Sequence, residues 1–338
     1  MAEANPVLVA VTRGDRVESA HRGAAAVVDA AGALVFARGD VETPIFPRSA
    51  VKPLQVLPLL ETGAADRFAV TEAELALACA SHAGEPEHVS RVAQWLDRLG
   101  LSESALVCGP HPPLAEAAAH DLISRGESPS RLHNNCSGKH TGFLATALHL
   151  REPTTGYAGP VHPVQLRVRR TLAHLGGCDL NDTHVAADGC GVPTLAMPLQ
   201  ALARALALLA APAPLGRLRA LAARRVVAAM TAHPFLVGGS GRFDTAIMEA
   251  AAGSVMVKAG AEGVHAAAVP ALGLGIAVKI DDGARRAADA AMAALLLRFA
   301  QPGADLRVRL VHFVETALRN TLDARIGTLR VMPGWLED

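Results

Sequence analysis

The sequence predicts a mixed α/β (α+β) fold, with one sheet drawn from both ends of the chain and a helical lobe inserted between them. Three observations predict it. Apolar and β-branched segments parted by turn residues occupy residues 7–38. Helical periodicity dominates from residue 71 to about 250. Near residue 254 the pattern returns to short strands separated by glycine.

Each element follows from its local pattern. Residues 7–12 and 18–38 read as strands, because Leu8-Val9-Ala10-Val11 is apolar and the segments Ala24 to Val28 and Ala33 to Arg38 flank a turn at Asp29-Ala30-Ala31-Gly32. Ser49 to Leu60 reads as a helix with Leu54, Leu57 and Leu60 on one side. Further helices are expected at 71–80, 86–99, 113–125, 138–149, 162–175, 196–211, 216–231 and 241–252. Strands follow at 254–259, 263–269 and 272–280, with helices at 284–300 and about 304–320 closing the chain. No long Ser/Gly/Pro-rich linker and no fixed-period repeat divides the sequence. One catalytic domain over residues 1–338 is expected, its sheet lobe at about 1–48 and 254–338 and its helical lobe at about 49–253.

Composition narrows the function. With 51% hydrophobic residues among 338, the chain can bury a large core. Lys+Arg and Asp+Glu balance at 32 each, so no net field attracts nucleic acid or an anionic membrane. Aromatic residues make up only 3%, which argues against a stacking platform for bases. Met1-Ala2-Glu3-Ala4-Asn5-Pro6 has no basic patch leading into an apolar stretch, so no secretory signal is expected. The apolar run Ala201 to Ala211 is too short to span a bilayer. Five cysteines (Cys79, Cys108, Cys136, Cys178 and Cys190) are an odd number in a long chain, and reduced thiols in a cytoplasm are the expectation.

The chemistry concentrates in a few segments. Ser49-Ala50-Val51-Lys52 places a hydroxyl and an amine on one face of a helix start, with Cβ atoms roughly 5–6 Å apart. A lysine can act as base toward a serine if burial or a second cation lowers its proton affinity. Alone the motif is weak, because Ser-x-x-Lys recurs by chance on solvated helices. Lys258-Ala259-Gly260 ends a β-branched strand, where small residues let a substrate approach the backbone and turn N–H groups could serve an oxyanion. Ser81 falls on a tight loop before Pro86 and Glu87, a helix start, so on sequence alone it reads first as a turn residue or cap and second as a proton-relaying hydroxyl of a Ser/Lys site. Asn134-Asn135-Cys136-Ser137-Gly138-Lys139-His140 packs amides, a thiol, an amine and an imidazole before an apolar helix that Ser137 is placed to cap. Asp188-Gly189-Cys190-Gly191 adds a second thiol. Neither segment contains Cys-x-x-Cys, so spacing alone leaves buried free thiols as the default and Zn²⁺ as the alternative. His162 and His233 precede prolines and read as turn positions.

Taken in order, these segments resemble the rhizobial-type, or class 3, L-asparaginases, also called the type II thermolabile family. The resemblance rests on Glu18-x-x-His21-Arg22-Gly23, Pro47 to Gln55, Ala80 to Pro86, Asn134 to His140, Asp188 to Pro193, Gly241-Arg242-Phe243-Asp244-Thr245, Lys258 to Gly263 and Gly273 to Lys279. It implies a fold like the serine β-lactamases and class A glutaminases, hydrolysis of L-asparagine to L-aspartate and ammonia, and a homodimer. It also implies one Ser-Lys pair in Ser49 and Lys52, another in Ser81 and Lys258, and Zn²⁺ held beside the substrate by Cys136, Lys139 and Cys190. Arg48 and Asp188, opposite charges beside these motifs, are candidates for holding the substrate's α-groups, with Gly260 lining its path. Of the two serines, Ser49 is the favoured nucleophile, since a helix start favours developing negative charge. Competing readings are a glutaminase, a penicillin-interacting serine hydrolase, and a non-catalytic protein that binds zinc or an amino acid.

Overall fold

The computed structural model describes residues 4–337; Met1 to Glu3, part of the segment read for an export signal, lie outside them. The sheet uses both ends of the chain. Its strands are β1 (Val7–Arg13), β2 (Arg16–Asp29), β3 (Leu34–Arg38), β4 (Met256–Ala259), β5 (Val264–Val269), β6 (Leu274–Ile280), β7 (Glu315–Arg319) and β8 (Arg325–Val331). The order is β7-β8-β1-β2-β6-β5-β4, with β3 also paired to β2. All pairs are antiparallel. The fold is therefore α/β in the mixed, antiparallel sense.

Strand β2 is long enough to serve two neighbours. Its first half pairs with β1, from Arg16↔Arg13 to Arg22↔Val7. Its second half pairs with β6, from Gly23↔Ile280 to Asp29↔Leu274. That half is alanine- and valine-rich and fully buried from Ala24 to Val28, so the centre of the sheet is covered. The helix Leu199–Ala210 packs against β2, β5 and β6. A Cβ at Gly275 would lie 1.9 Å from Ala203 O, so only glycine lets this helix sit so close to β6. The helix Arg285–Phe299 packs against β1, β5 and β6. Strand β4 closes one edge and carries Lys258 there.

The middle of the chain is helical, as its periodicity predicts. Observed helices include Glu72–Ala78, Pro86–Arg98, Glu116–Ser124, Ser137–His149, Pro163–Gly176, Arg217–Ala232 and Phe243–Ala251. Thr71 and Glu74 form a capping box that starts the first of these.

Three segments depart from the expectation. The helix read over Ser49 to Leu60 is broken into a 3₁₀ turn, Arg48–Val51, and two short helices, Lys52–Gln55 and Leu57–Glu61. Pro53 and Pro58 stand at their starts and supply no N–H to a continuous helix. The closing helix ends at Val314, and Glu315–Arg319 and Arg325–Val331 form an edge hairpin. Half-exposed alternation in Glu315–Arg319 gave that hairpin little apolar signal. Ser137 does not cap its helix; it lies inside the first turn, and its Oγ donates to Leu132 O. His162, by contrast, does cap one, accepting from Val164 N at 3.2 Å.

All five cysteines are free. Among the described residues no helix is long and apolar enough to cross a membrane.

Candidate active site

Four separate stretches bring the reactive side chains together. The 3₁₀ turn Arg48–Val51 carries Ser49, and Lys52 follows it directly. The loop after Glu72–Ala78 carries Ser81, strand β4 carries Lys258, and the start of Ser137–His149 carries Cys136 and Lys139.

The Ser81 loop is held from several sides. Ser81 N donates to Val237 O at 3.0 Å, and Ala115 N donates to Ala83 O at 3.0 Å. Beneath it, Gly84 N donates to His82 Nδ1 at 3.2 Å. His82 Nε2 then donates to Ser137 Oγ at 2.9 Å, since that hydroxyl gives its own proton to Leu132 O. Burial, reinforced by neighbouring His88, holds His82 well below the usual histidine range, so it is a neutral strut.

Both candidate lysines converge on Ser81. Lys52 Nζ donates to Ser81 Oγ at 3.0 Å and to Ala80 O at 2.5 Å. Lys258 Nζ donates to Ser81 Oγ at 3.0 Å and to Ala259 O at 2.7 Å. Lys52 is 1% exposed and Lys258 0%, which makes both amines dependent on these contacts. Ser49 lines the same cleft of about 310 Å³ as Ser81, Ala259 and Gly260. No hydrogen bond engages its hydroxyl among the described residues. The pairing thus differs from the one the motifs imply: Lys52 reaches the second serine, not the first.

Burial pushes Lys258 down to about 8, against the pull of Asp244 and with help from Lys52. Asp244 sits 3.5 Å from Lys258 Nζ. Its carboxylate also accepts from Ala259 N and His265 Nε2, each at 3.0 Å. Burial alone would raise Asp244, yet Lys258 and the His265 bond hold it far below the usual carboxylate range. His265 Nδ1 lies 3.3 Å from Asp289 Oδ1. Burial opposes the charge on His265, and the two carboxylates overcome it and raise its proton affinity. This Asp244–His265–Asp289 chain behind Lys258 escaped the sequence reading. Its one available signal was Asp244, inside the segment Gly241 to Thr245.

Arg48 and Asp188 are brought together, but on each other. Arg48 Nε donates to Asp188 Oδ1 at 2.7 Å, and Gly189 N donates to the same oxygen at 2.9 Å. Arg48 has φ +51°, a strained conformation for a non-glycine residue immediately before Ser49. Gly260 approaches the same turn: a Cβ there would lie 2.7 Å from Pro47 O. Its N–H is spent on Val264 O at 2.8 Å, so Gly260 is no oxyanion donor.

The three candidate metal ligands also meet. Lys139 Nζ donates to Cys190 Sγ at 3.1 Å. The neighbouring Cys190 sulfur holds Cys136 well below the usual thiol range, with Lys52 and Lys139 adding to it. The same pairing of sulfurs, with burial, raises Cys190. Burial would lower Lys139, but the sulfurs outweigh it and raise it. Two sulfurs and one nitrogen, buried and converging, form a donor set that fits Zn²⁺ and leaves a fourth position open. Among the described residues no group of three or more His, Cys, Asp or Glu side chains could hold a metal, so Lys139 is needed to complete any such set.

The site thus holds a buried serine hydroxyl bonded by two buried amines at the wall of a cleft. The family model described as L-asparaginase II matches residues 9–331. The chain belongs to the L-asparaginase II family. No curated protein gives a match. Among solved structures, Mglu in its native form is similar at 17% identity and a TM-score of 0.46, covering 82% of this chain and 64% of that one. The chain thus spans just under two thirds of that protein's length. A beta-lactamase from Mycobacterium bovis is similar at 16% identity and a TM-score of 0.43, covering 82% of this chain and 95% of that one. At these scores the likenesses are too slight to say anything of substrate.

Proposed function

We propose that the protein hydrolyses L-asparagine to L-aspartate and ammonia through a serine acyl-enzyme. The observation that carries this reading is the Ser81 hydroxyl held at 3.0 Å by both Lys52 and Lys258, in the cleft that Ser49 also lines. An amide is hydrolysed this way only if a base takes the serine proton and an acid returns one to the leaving nitrogen.

The proton path runs through Ser81. Ser49 attacks the side-chain amide carbon and gives its proton to the Lys52–Ser81–Lys258 network as substrate draws the cleft together. Each member passes a proton on as it receives one, and the network's net acceptor is Lys258, the amine depressed to about 8 and so neutral above that pH. The C–N bond breaks as the ammonia nitrogen takes a proton back along the same chain. Water then attacks the ester, and the cycle reverses. A second reading has Ser81 itself attack, and the two lysine contacts on its oxygen favour that. Rapid quench with labelled asparagine separates the two: label on Ser49 supports the first, label on Ser81 the second.

Cys136, Lys139 and Cys190 would hold Zn²⁺ beside the cleft, where the ion would supply a positive charge to orient a bound carboxylate or amine. Arg48 and Asp188, already paired, hold the turn before Ser49 and the loop before Cys190 in register. The test of the activity is ammonia release from a panel of L-asparagine, D-asparagine, L-glutamine and a chromogenic β-lactam. Turnover of L-asparagine above the others is the expected result. Turnover of the β-lactam, or of L-glutamine as fast as L-asparagine, would overturn the substrate assignment.

A further inference from the structure

We infer that Arg242 anchors the α-carboxylate of the substrate, a step that rests on the amino-acid amide reading above. Arg242 immediately precedes the helix Phe243–Ala251 and lines the cleft shared by Ser49, Ser81 and Gly260. Nearly every other charge around that cleft is engaged. Arg48 holds Asp188, Lys52 and Lys258 hold Ser81, Asp244 holds His265, and Arg285 lies 3.5 Å from Asp289. The Arg242 side chain has no hydrogen bond and no ion pair among the described residues, although it is partly buried.

Asp244 and Asp289 act on this guanidinium only through space, and burial and Arg285 outweigh them and lower its proton affinity, so a bound anion would meet an under-compensated charge. The cleft lining carries two arginines, Arg242 and Arg285, against one carboxylate, Glu262. That balance favours an anionic group on the ligand. The planar fork of arginine matches a carboxylate through two parallel hydrogen bonds, which fixes the ligand's direction as well as its place. With the carboxylate held at Arg242, the side-chain amide of a short amino acid is delivered toward the serines. A longer one overshoots, and a misplacement of about 1 Å can cost around 10²-fold in rate.

The test compares L-asparagine with its α-N-methylamide, in which a neutral amide replaces the carboxylate and ammonia still reports only the side-chain amide. Arg242→Gln should lower kcat/KM for L-asparagine on the order of 10²-fold, as loss of a charge-assisted bond predicts. For the methylamide the same variant should change it less than about threefold. Equal losses on both substrates would show that Arg242 acts only through its field on Lys258, and would overturn the anchor. So would an unchanged rate on L-asparagine. Calorimetric titration with L-aspartate reads the anchor without turnover. The wild-type protein should bind L-aspartate at least about tenfold more tightly than its α-N-methylamide, and Arg242→Gln, if folded, should erase the difference. Equal wild-type affinity for the two ligands would sink the proposal even if the variant does not fold. A protein that binds L-aspartate selectively but releases no ammonia from L-asparagine would instead refute the activity and leave the anchor standing.

Discussion

Lys258 Nζ donates to Ser81 Oγ across 3.0 Å, joining residues 177 positions apart in the sequence. Lys52 makes the same bond from the other side. A hydroxyl shared by two amines is one proton-transfer unit, and removing any member breaks the whole path. Ser81→Ala and Lys258→Met should each lower kcat by about 10³-fold or more, and the double variant should be little worse than either. Ammonia release under saturating substrate checks this. Losses that multiply would mean the two residues act independently.

In the proposed mechanism Lys258 sets the pH dependence. Its proton affinity is depressed to about 8, chiefly by burial, so the base form grows as pH rises through that value. The alkaline-rising limb of kcat/KM should therefore have its midpoint near 8. Asp244 opposes that depression, so Asp244→Asn should move the limb to lower pH. It should also cost about 3 kcal/mol of stability by leaving Lys258 and His265 without their shared carboxylate. Stability carries a matching signature. Between about 8 and the ordinary 10.5 the unfolded chain binds the Lys258 proton and the folded chain does not, so this residue makes folding more favourable as pH rises across that window. A limb that stays put in Asp244→Asn would sever the link between the two groups.

Local pattern revealed the strands at 7–38 and 254–280 and most helices, because periodicity is written in neighbouring residues. The partnership of Lys52 was not legible. Its separation of three from Ser49 suggests that pair, whereas a long flexible amine reaches whatever the fold brings near, here a loop fixed by Val237 O. Asp244, His265 and Asp289 stayed hidden for the same reason, being joined only through contacts between β4, β5 and two helices. The edge hairpin formed by β7 and β8 was missed because β7 alternates only between exposed and half-buried positions, which leaves little apolar signal.

The sulfur cluster gives a metal prediction. Cys136, Cys190 and Lys139 supply three donors for a single tetrahedral site, so the purified protein should contain about one zinc per chain. Cys136→Ala removes the thiol whose proton affinity is lowered most, and with it the best ligand. It should reduce bound zinc and raise the apparent KM more than it lowers kcat, since the serines and lysines remain. Plasma emission analysis alongside kinetics checks both halves. A metal-free protein unable to take up added zinc would remove the metal from the reading.

Gly260 offers a sharp packing test of how tightly the cleft is built. It follows Ala259 at the end of β4, and a methyl group there would stand 2.7 Å from Pro47 O, 3.1 Å from Val264 Cβ and 3.3 Å from Ala50 N. Two of those atoms are backbone of the turn that carries Ser49, and Ala50 N already bonds Pro47 O at 3.1 Å, so the turn cannot yield without moving Ser49. Overpacking of this kind costs about 1–3 kcal/mol. The displacement matters more for rate, because a shift of about 1 Å in a reacting group can cost around 10²-fold. Gly260→Ala should therefore lose at least about tenfold in kcat with only a modest fall in melting temperature. Gly109→Ala is the control, since a Cβ there meets nothing within 4 Å. If Gly260→Ala kept full activity, the strand end and the serine turn would be less closely coupled than their contact implies, and Ser49 would lose its fixed place opposite the lysines.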